Sequence, residues 1–547
     1  MNLKRIITAT ILSLSLGFVL VGCSTGNSSE TTNNNQNLKS LNFVAQQELP
    51  TADLSLATDT VSYTVLNNVY EGLYRQDKDN NLILAGAKEK GTVSEDSLTY
   101  NFKLNPEAKW SNGDAVTAND YVYSWRRTVN PKTASEYAYL FDSLKNAKEI
   151  KAGEKEIDEL GIHAISDYEL QIELSSPVPY FERLLTLPSF FPQNQSVVEK
   201  YGKDYALKSE TAVYNGPFVL EGFDGPGTDT KWTYKKNDNY FDKDNVKVDI
   251  INVNVVKESA TALNLFQNNQ ADDIVLTGEL AQQNQNHPAY HPLLQATTQY
   301  LNFNQIEPTS PFRNENLRKA IATAIDRSAL TTSILGNGSI PATGLVPKNL
   351  MKSPTGIDFT EAVGDSYNKF DAEKAKQYFA KAKEELKIDN FEFSILSSDT
   401  DSAKKVIEYL QNIIEQTLPG MKVNLTPVPF SVRLERSRAG NFDVSMVSYG
   451  ADYLDASTFT DLLRYNNSGR WTNDTYTALL ESAATTNVRD PQKRFDDLVS
   501  AEKLELEVQA CAPLYQVAEA HMINPKIKNF VSHPAGAKFD YKWLEID

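Results

Sequence analysis

The chain has 547 residues, which is more than one hydrophobic core organises, since single cores stop growing at about 250–300 residues. Hydrophobic residues make up 41% of it and charged residues 23%, values that are typical of globular proteins and exclude a disordered or fibrous chain. Its net charge of −17 makes nucleic acid and anionic membrane surfaces poor partners. We therefore predict a globular protein of two or three domains that binds no nucleic acid.

Residues 1–22 have the features of a secretory signal peptide. Lys4 and Arg5 give it a basic start, and an apolar run follows that is shorter than the ~20 residues a membrane-spanning helix needs. The run ends in Leu20-Val21-Gly22-Cys23, which is similar to the lipobox of bacterial lipoproteins. We predict that Cys23 becomes the acylated N-terminus; an ordinary signal peptide with a chance cysteine is the alternative.

Residues 23–40 are predicted to be a disordered tether. The segment from Ser24 to Asn37 contains no apolar residue that could join a core, so it cannot offset the entropy lost on ordering. Together with a lipid on Cys23, the tether places the protein at the cell membrane on its extracellular side, as in a Gram-positive bacterium, with membrane contact through the lipid alone.

The folded part begins with a predicted strand at 41–48, followed by a region rich in hairpins. An alternating strand at 98–104 precedes an Asn112-Gly113 turn. Thr117 is a predicted N-cap, with Asp120 three residues later, for a helix that stops before Pro131. Strand patterns recur at 168–174, 250–256 and 273–276, and helical patterns at 258–267 and 314–335.

The clearest α/β pattern follows, in the order strand, helix, strand, helix, strand, at 391–396, 402–418, 423–428, 432–439 and 442–448. This order predicts parallel strands. Ligands of open α/β sheets bind beyond the carboxyl ends of the strands. The loop Tyr449-Gly450-Ala451-Asp452-Tyr453 directly follows the last predicted strand, and we predict part of a binding site there.

The sequence gives no indication of catalysis, of a metal site or of a cofactor. Pro288 prevents a helix that would bring His287 and His291 together. Asp77 opens a segment similar to a calcium loop, but Leu82 and Lys88 occupy the positions that need glycine and glutamate, so a hairpin turn is the better interpretation. Cys511 lies in an apolar stretch and is predicted to be a buried small hydrophobe.

Four sequence blocks, in the same order as in the family, resemble the peptide-binding lipoproteins of bacterial ABC importers, a branch of the peptide/nickel-binding extracellular solute-binding proteins. The blocks are Tyr70-Glu71-Gly72-Leu73-Tyr74, the run from Trp110 to Trp125, Asn215-Gly216-Pro217-Phe218, and the run from Pro311 to Arg327. The resemblance covers essentially all of residues 41–547.

The resemblance implies a three-domain, two-lobed α/β fold of the periplasmic-binding-protein type (class II, cluster C), with a hinge and a cleft between the lobes. Domain I would consist of residues 41–73, 199–298 and 519–547, domain II of 74–198, and domain III of 299–518. It also implies a monomer without enzymatic activity that hands peptides to the permease subunits of an ABC transporter in the membrane.

The resemblance assigns the peptide's α-ammonium group to Asp452, because the motif Ala451-Asp452-Tyr453 matches the family's. An ion pair with this group recognises the positive charge that every peptide with a free amino terminus carries. Tyr449, Gly450 and Tyr137 would complete the peptide-binding residues as walls of the cleft. Two alternatives stay open: Asp452 could instead cap the following helix, and the tyrosines could be ordinary core residues.

Two positions depart from relatives that hold short peptides. Met446 stands where they carry an arginine, and Ala403 where they carry a histidine, for the peptide's C-terminal carboxylate. Either the C-terminus extends beyond this point or another cation binds it; Lys404 and Lys405 are available, although a solvated helix face is an ordinary position for both. On the sequence alone, we expect C-terminal amidation to affect binding less than N-terminal acetylation.

The leading hypothesis is therefore peptide capture for an importer. A second is a receptor of the same fold that delivers a signalling peptide, or pheromone, to the same type of importer. A third, a secreted peptidase, lacks a nucleophile and base. A fourth, a nickel, haem or sugar binder of the same family, is disfavoured by Asp452 in its motif.

Overall fold

A mixed sheet of eleven strands is the centre of the structure, a computed structural model that describes residues 38–465 and 467–547. The predicted signal peptide, Cys23 and the residues up to 37 lie outside the described residues. Across the sheet the strands are Met421–Val428, Phe391–Ser398, Val444–Gly450, Tyr290–Phe303, Cys511–Ile523, Asp273–Leu276, Ser40–Ala45, Ile250–Val255, Lys231–Lys236 and Phe218–Glu221, and Ile340–Pro341 pairs with Cys511–Ile523 outside this order.

The predicted βαβαβ unit forms the first part of this sheet. Strand Phe391–Ser398 lies between Met421–Val428 and Val444–Gly450 and is parallel to both. The two connections are the helices Asp401–Thr417 and Phe430–Ala439, and Gly440 ends the second in a left-handed conformation with φ of 72°. The prediction of parallel strands is confirmed. The last strand runs two residues further than predicted, to Gly450, so the remainder of the predicted loop lies at its carboxyl end.

Two long antiparallel strands connect the halves of the sheet. Tyr290–Phe303 pairs with Val444–Gly450, whereas Cys511–Ile523 pairs at its far end with Asp273–Leu276. Their mutual ladder is irregular between Leu294 and Thr298, so the Tyr290–Phe303 strand bends there. Thr297, within this irregularity, pairs with Gly450 of the predicted site.

The helices are mostly short and capped by side chains. Thr117 and Asp120 form the predicted capping box at the start of Ala118–Val129. The described helices are Thr60–Val69, Ala118–Val129, Ala147–Lys151, Phe181–Leu184, Gln195–Tyr201, Ser259–Gln267, Gly278–Asn284, Glu315–Thr323, Arg327–Ala329, Phe359–Val363, Ala372–Leu386, Asp401–Thr417, Phe430–Ala439, Ser457–Thr460, Asp474–Ala484 and Pro491–Val508.

The helical pattern at 314–335 is divided in the structure, where the sequence suggested one continuous helix. Helix Glu315–Thr323 ends, a second begins at Arg327, and a wider turn continues over Leu330–Leu335. The division has a local cause: the carboxylate of Asp326 accepts hydrogen bonds from the amides of Ser328 and Ala329 and restarts the helix.

Four smaller sheets are formed by described residues in the first half of the chain and near its C-terminus. They comprise Thr92–Val93, Thr99–Lys103, Glu169–Glu173 and Ile162–Ser166 in one sheet, and the pairs Tyr74–Gln76 with Leu82–Leu84, Ile527–Lys528 with Glu545–Ile546, and Val531–Ser532 with Phe539–Asp540. The Asp77 carboxylate accepts from the amides of Asp79 and Asn81 in the turn of the Tyr74–Leu84 hairpin. The hairpin interpretation of this segment is confirmed.

Separate hydrophobic cores define two lobes. The largest core is formed by residues between Leu41 and Val253 and between Ile523 and Leu544, and Tyr453 packs into it from the other lobe; we call residues 41–253 and 523–544 the first lobe. Two further cores are formed by residues between 296 and 515, one of them with Ala535 added, and we call residues 296–515 the second lobe. Within the described ranges, no helix is long and apolar enough to cross a membrane.

The lobes touch through aromatic pairs and an ion pair. The rings of Tyr180 and Tyr453 stack with centroids 4.2 Å apart, and those of Tyr139 and Tyr465 stack at 4.9 Å. Arg438 Nε of the second lobe lies 2.5 Å from Glu136 Oε1 of the first. These contacts describe a closed arrangement, in which the residues facing the cleft are largely shielded from water.

Candidate functional site

Asp452 lies at the junction of the lobes with its carboxylate buried; the residue is 7% exposed. The Tyr449 hydroxyl donates to its Oδ2 at 2.6 Å, and the Tyr137 hydroxyl to its Oδ1 at 3.4 Å. The first bond is short, as expected for a charged acceptor, whereas the second is at the long limit. Tyr449 lies near the end of the strand Val444–Gly450, just before Asp452, whereas Tyr137 comes from the first lobe.

The carboxylate forms no ion pair with any residue that the structure describes. Burial raises the pKa of Asp452 to about 7, although the hydroxyls of Tyr449 and Tyr137 act to lower it. A buried carboxylate without a counter-charge is costly for a fold. A cationic group of a ligand would remove this cost, and an ammonium group has the charge and the donors to do so.

Asp452 does not cap the helix that follows it. Its side chain accepts only from the two tyrosines among the described residues, while its backbone amide donates to Thr458 Oγ1 at 3.1 Å. The cap contact belongs instead to Asp455, whose Oδ1 accepts from the Ser457 amide at 3.0 Å. Asp455 is also held by two bonds from Arg494, at 2.8 and 2.7 Å.

The residues next to Asp452 in the sequence contact both lobes. A Cβ on Gly450 would lie 3.0 Å from Thr297 Oγ1 and 3.6 Å from a methyl group of Thr60 in the first lobe, so the lobes approach closely here. Ala451 is buried in the second lobe and donates its amide to the Ala296 carbonyl at 2.8 Å. Tyr453 points to the first lobe, where it stacks on Tyr180.

Two cavities adjoin the segment around Asp452. One, which we call the central cavity, has a volume of about 260 Å³ and is lined by Thr60 and Thr64 of the first lobe and by Gln299, Ser448, Phe430 and Met446 of the second. The other, the side cavity, has about 290 Å³ and is lined by Tyr139, Tyr180, Tyr453, Asp461 and Arg464. Asp452 lies between Ser448 and Tyr453, on the segment that joins the two cavities.

The central cavity carries charged groups that sequence reasoning did not single out. Four of them neutralise one another: His521 Nδ1 lies 2.7 Å from Asp273 Oδ1, His521 Nε2 lies 3.2 Å from Glu519 Oε2, and Lys538 also binds Glu519. Burial lowers the pKa of His521, but the two carboxylates outweigh burial and raise it to about 9. His521 is therefore charged at neutral pH.

A fifth charged group, Arg433, also lines this cavity and was missed. It lies in the helix Phe430–Ala439, where the pattern of the sequence indicated only a short connection between strands. Met446 and Ala403, the two positions without the expected clamp residues, line the same cavity. Both positions thus face the cleft without a charge, while Lys405 pairs with Asp401 and Lys404 with Glu258.

The described residues contain no group of three or more histidine, cysteine, aspartate or glutamate side chains arranged to hold a metal ion. Cys511 is fully buried, as predicted from its apolar surroundings. Burial and the nearby Glu505 carboxylate raise the pKa of its thiol. Such a thiol is not a nucleophile at neutral pH, because the thiolate is the reactive form.

Comparison with known proteins gives one consistent family. The model of the bacterial extracellular solute-binding proteins, family 5 Middle, matches residues 81–471. A dipeptide-binding protein of Lactococcus lactis is 36% identical over 553 residues, covering 98% of this chain and 98% of the relative.

Solved structures agree with this result. A peptide-bound OppA of Listeria monocytogenes has a TM-score of 0.89 and 40% identity, covering 93% of this chain and 99% of the other. The pheromone receptor PrgZ, whose mode of peptide binding has been described, has a TM-score of 0.89 and 38% identity, covering 93% and 100%. The two-lobed α/β fold predicted from the sequence is therefore confirmed.

Proposed function

We propose that this chain, which belongs to family 5 of the bacterial extracellular solute-binding proteins, captures peptides outside the cytoplasm and delivers them to a membrane ABC importer. The observation that carries the proposal is the uncompensated carboxylate of Asp452 at the junction of the two lobes. A peptide's α-ammonium group would bind it, with the hydroxyls of Tyr449 and Tyr137 holding the carboxylate in place.

The mechanism assigns no chemical step to the protein. An extended peptide is bound through its backbone and its charged amine, so side chains of many kinds are accepted. Closure of the lobes over the peptide excludes water and strengthens the ion pair at Asp452, since Coulomb attraction grows as the local dielectric constant falls. The Tyr180–Tyr453 and Tyr139–Tyr465 ring stacks would form as the lobes close over the peptide.

The proposal extends to the position of the protein in the cell. We propose that acylated Cys23 anchors a monomer to the outer face of the cell membrane and that residues 24–40 allow it to reach the permease. The similarity of Leu20-Val21-Gly22-Cys23 to a lipobox supports this proposal.

A receptor role for a signalling peptide is the second candidate, and the similarity to PrgZ favours it. Nutrient uptake and signalling use the same site, so the ligand distinguishes them. A nutrient binder carries many peptides, whereas a receptor carries one.

Native mass spectrometry of the protein purified from its own cells tests both candidates. We expect bound masses that fragment as peptides with free amino termini: a broad set for uptake, and a single sequence for signalling. The Asp452→Asn variant, purified in the same way, should carry much less. A bound compound that is not a peptide in the wild type would contradict the proposal.

A further inference from the structure

Arg433 is a buried cation without a partner among the described residues. The residue is 6% exposed, and its Nε is fully shielded from solvent yet donates no hydrogen bond to any described residue. Its guanidinium forms no ion pair within the described residues either. A guanidinium has five N–H donors, and leaving them unused in a buried place is unfavourable.

The surroundings hold this side chain in position without using its donors. Its guanidinium carbon lies 5.0 Å from the centre of the Phe430 ring, one helical turn earlier. A cation over an aromatic face is attracted to it, and the stack leaves the N–H edge free. Burial lowers the pKa of Arg433 to about 10, so the side chain remains a cation at neutral pH.

Arg433 differs in this respect from the other charged groups of the central cavity. Asp273, Glu519, His521 and Lys538 satisfy one another. Three groups at a distance act on Arg433 electrostatically, namely Tyr300, Asp59 and Arg438, but none forms a bond with its side chain. Arg433 lines the cavity together with the uncharged Met446 and Ala403, so the Nη donors of its guanidinium, which are not fully shielded as Nε is, are available to a ligand there.

We propose that Arg433 binds a carboxylate of the peptide in the central cavity, and this rests on the proposed function. A carboxylate is the natural partner of an arginine, because its two oxygens match two parallel N–H groups. The source is either the C-terminal carboxylate or an acidic side chain. In the first case, Asp452 and Arg433 bind the two ends of one ligand.

This assignment changes the expectation drawn from Met446 and Ala403 alone. Met446 and Ala403 carry no charge, but the helix Phe430–Ala439 brings a different cation, Arg433, into the same cavity. The C-terminal carboxylate then selects peptides of the length that spans from Asp452 to Arg433.

Calorimetric titration of alanine peptides of two to six residues, each as the free acid and as the C-terminal amide, tests the proposal. For the best-binding length, the wild type should prefer the acid by tenfold or more. In Arg433→Gln this preference should fall to about one, whereas Arg433→Lys should retain part of it. N-terminal acetylation should weaken binding to the wild type and to Arg433→Gln by the same factor, since Asp452 is unchanged.

A second arm distinguishes the source of the carboxylate. Peptides in which one alanine is replaced by glutamate or by glutamine are compared in amide form. A glutamate preference that Arg433→Gln abolishes assigns the arginine to an acidic side chain instead of the C-terminus. Arg436→Gln, which removes a charge from the same helix outside the cavity, is the matched control and should leave both preferences unchanged.

The failures are distinguishable. If the wild type binds none of these peptides and carries no peptide when purified from its own cells, the proposed function is wrong and the assignment of Arg433 is wrong with it; if it carries a single peptide, that peptide in acid and amide form replaces the alanine series. If binding depends on a free amino terminus but both carboxylate preferences are the same in the wild type and in Arg433→Gln, the proposed function stands and the role of Arg433 is refuted. Thermal unfolding of each unliganded variant verifies that it is folded.

Discussion

The hydroxyl of Tyr137 lies 3.4 Å from Oδ1 of Asp452, although the two residues are 315 positions apart and belong to different lobes. Because it joins the two lobes, their separation would break it. It therefore makes the environment of the proposed ammonium site depend on closure: the carboxylate is desolvated and receives its second hydroxyl at the same moment. On the proposed function, peptide binding and closure would therefore be coupled at this carboxylate.

Replacing Asp452 by asparagine should weaken peptide binding by roughly 2–5 kcal/mol, because the ammonium group would be buried without its counter-charge. The unliganded variant should unfold at the same temperature as the wild type or higher, since the substitution removes an uncompensated buried carboxylate. Titration calorimetry and thermal unfolding measure the two effects. Asp365→Asn, which removes an exposed charge from the second lobe, is the control.

N-terminal acetylation of the peptide examines the same ion pair from the ligand's side. Acetylated peptides should bind the wild type poorly, and the Asp452→Asn substitution should not weaken their binding further, because they carry no ammonium group to lose its partner. Equal affinities of acetylated and free peptides for the wild type, measured by calorimetry, would falsify the ammonium role.

The two tyrosines should differ in their effect. Tyr449→Phe removes the 2.6 Å hydrogen bond to Asp452, and bonds to charged groups contribute roughly 1.5–3 kcal/mol. Tyr137→Phe removes a contact of 3.4 Å to Asp452 and one of 3.3 Å to the Thr58 carbonyl; the contact with Asp452 is the weaker of the two tyrosine contacts, so its loss of peptide affinity should be smaller. Affinities measured at pH 7 give the comparison, with Tyr476→Phe as a buried hydroxyl away from the site. An equal or larger loss in Tyr137→Phe would contradict the geometry.

The sequence was sufficient for those parts of the fold that are determined locally. The βαβαβ unit follows from the periodicity of residues 391–448, and with it the position of Asp452 just beyond the last strand; the role of Asp452, taken from the motif Ala451-Asp452-Tyr453, stays a proposal. The division of the 314–335 helix was missed because Asp326 is compatible with a helical pattern and its capping role appears only from the backbone geometry. The assignment of residue ranges to three domains stays a prediction.

Arg433 could not be found in this way, for a physical reason. An arginine on a short polar helix is ordinarily solvated. The sequence of the helix Phe430–Ala439 has no clear apolar face, so it does not predict which side of the helix is buried. Burial of Arg433 depends on long-range packing beside Tyr300 and on the closure of the first lobe over the cavity. The resemblance to relatives identified the two positions where the expected cations are missing; only the packed structure indicates Arg433 as the residue proposed to take their place.

Substitution of Cys23 by alanine should release the protein from the membrane into the medium. Acyl chains supply most of the anchoring free energy, at ~0.8 kcal/mol per buried CH₂ group, and the change removes their attachment point. Fractionation of cells followed by immunoblotting measures the distribution. Cys511→Ala is a matched control, because that cysteine is buried within the second lobe and should leave the protein on the membrane. A membrane-bound Cys23→Ala protein would show that the lipobox interpretation is wrong.

Peptide affinity should depend on pH through Asp452. Burial raises the pKa of its carboxyl group to about 7, and the groups that face it, Tyr449, Tyr137, Tyr63 and Tyr139, stay neutral because burial raises their pKa values as well. The ammonium group of the peptide pairs with the ionised carboxylate. Binding is therefore favoured above about pH 7 and weakens as the pH falls through this value.

The upper limit comes from the ligand, whose amine has a pKa of about 7.7–8.0 and loses its charge above it. Affinity should be highest near neutral pH and fall about tenfold per unit on the acid side, with close to one proton released on binding at about pH 6. Calorimetry in two buffers of different ionisation enthalpy measures the released proton. Asp452→Asn should release none at this pH, and an affinity for the wild type that is constant between about pH 5.5 and 7 would show that Asp452 is already ionised in the unliganded protein.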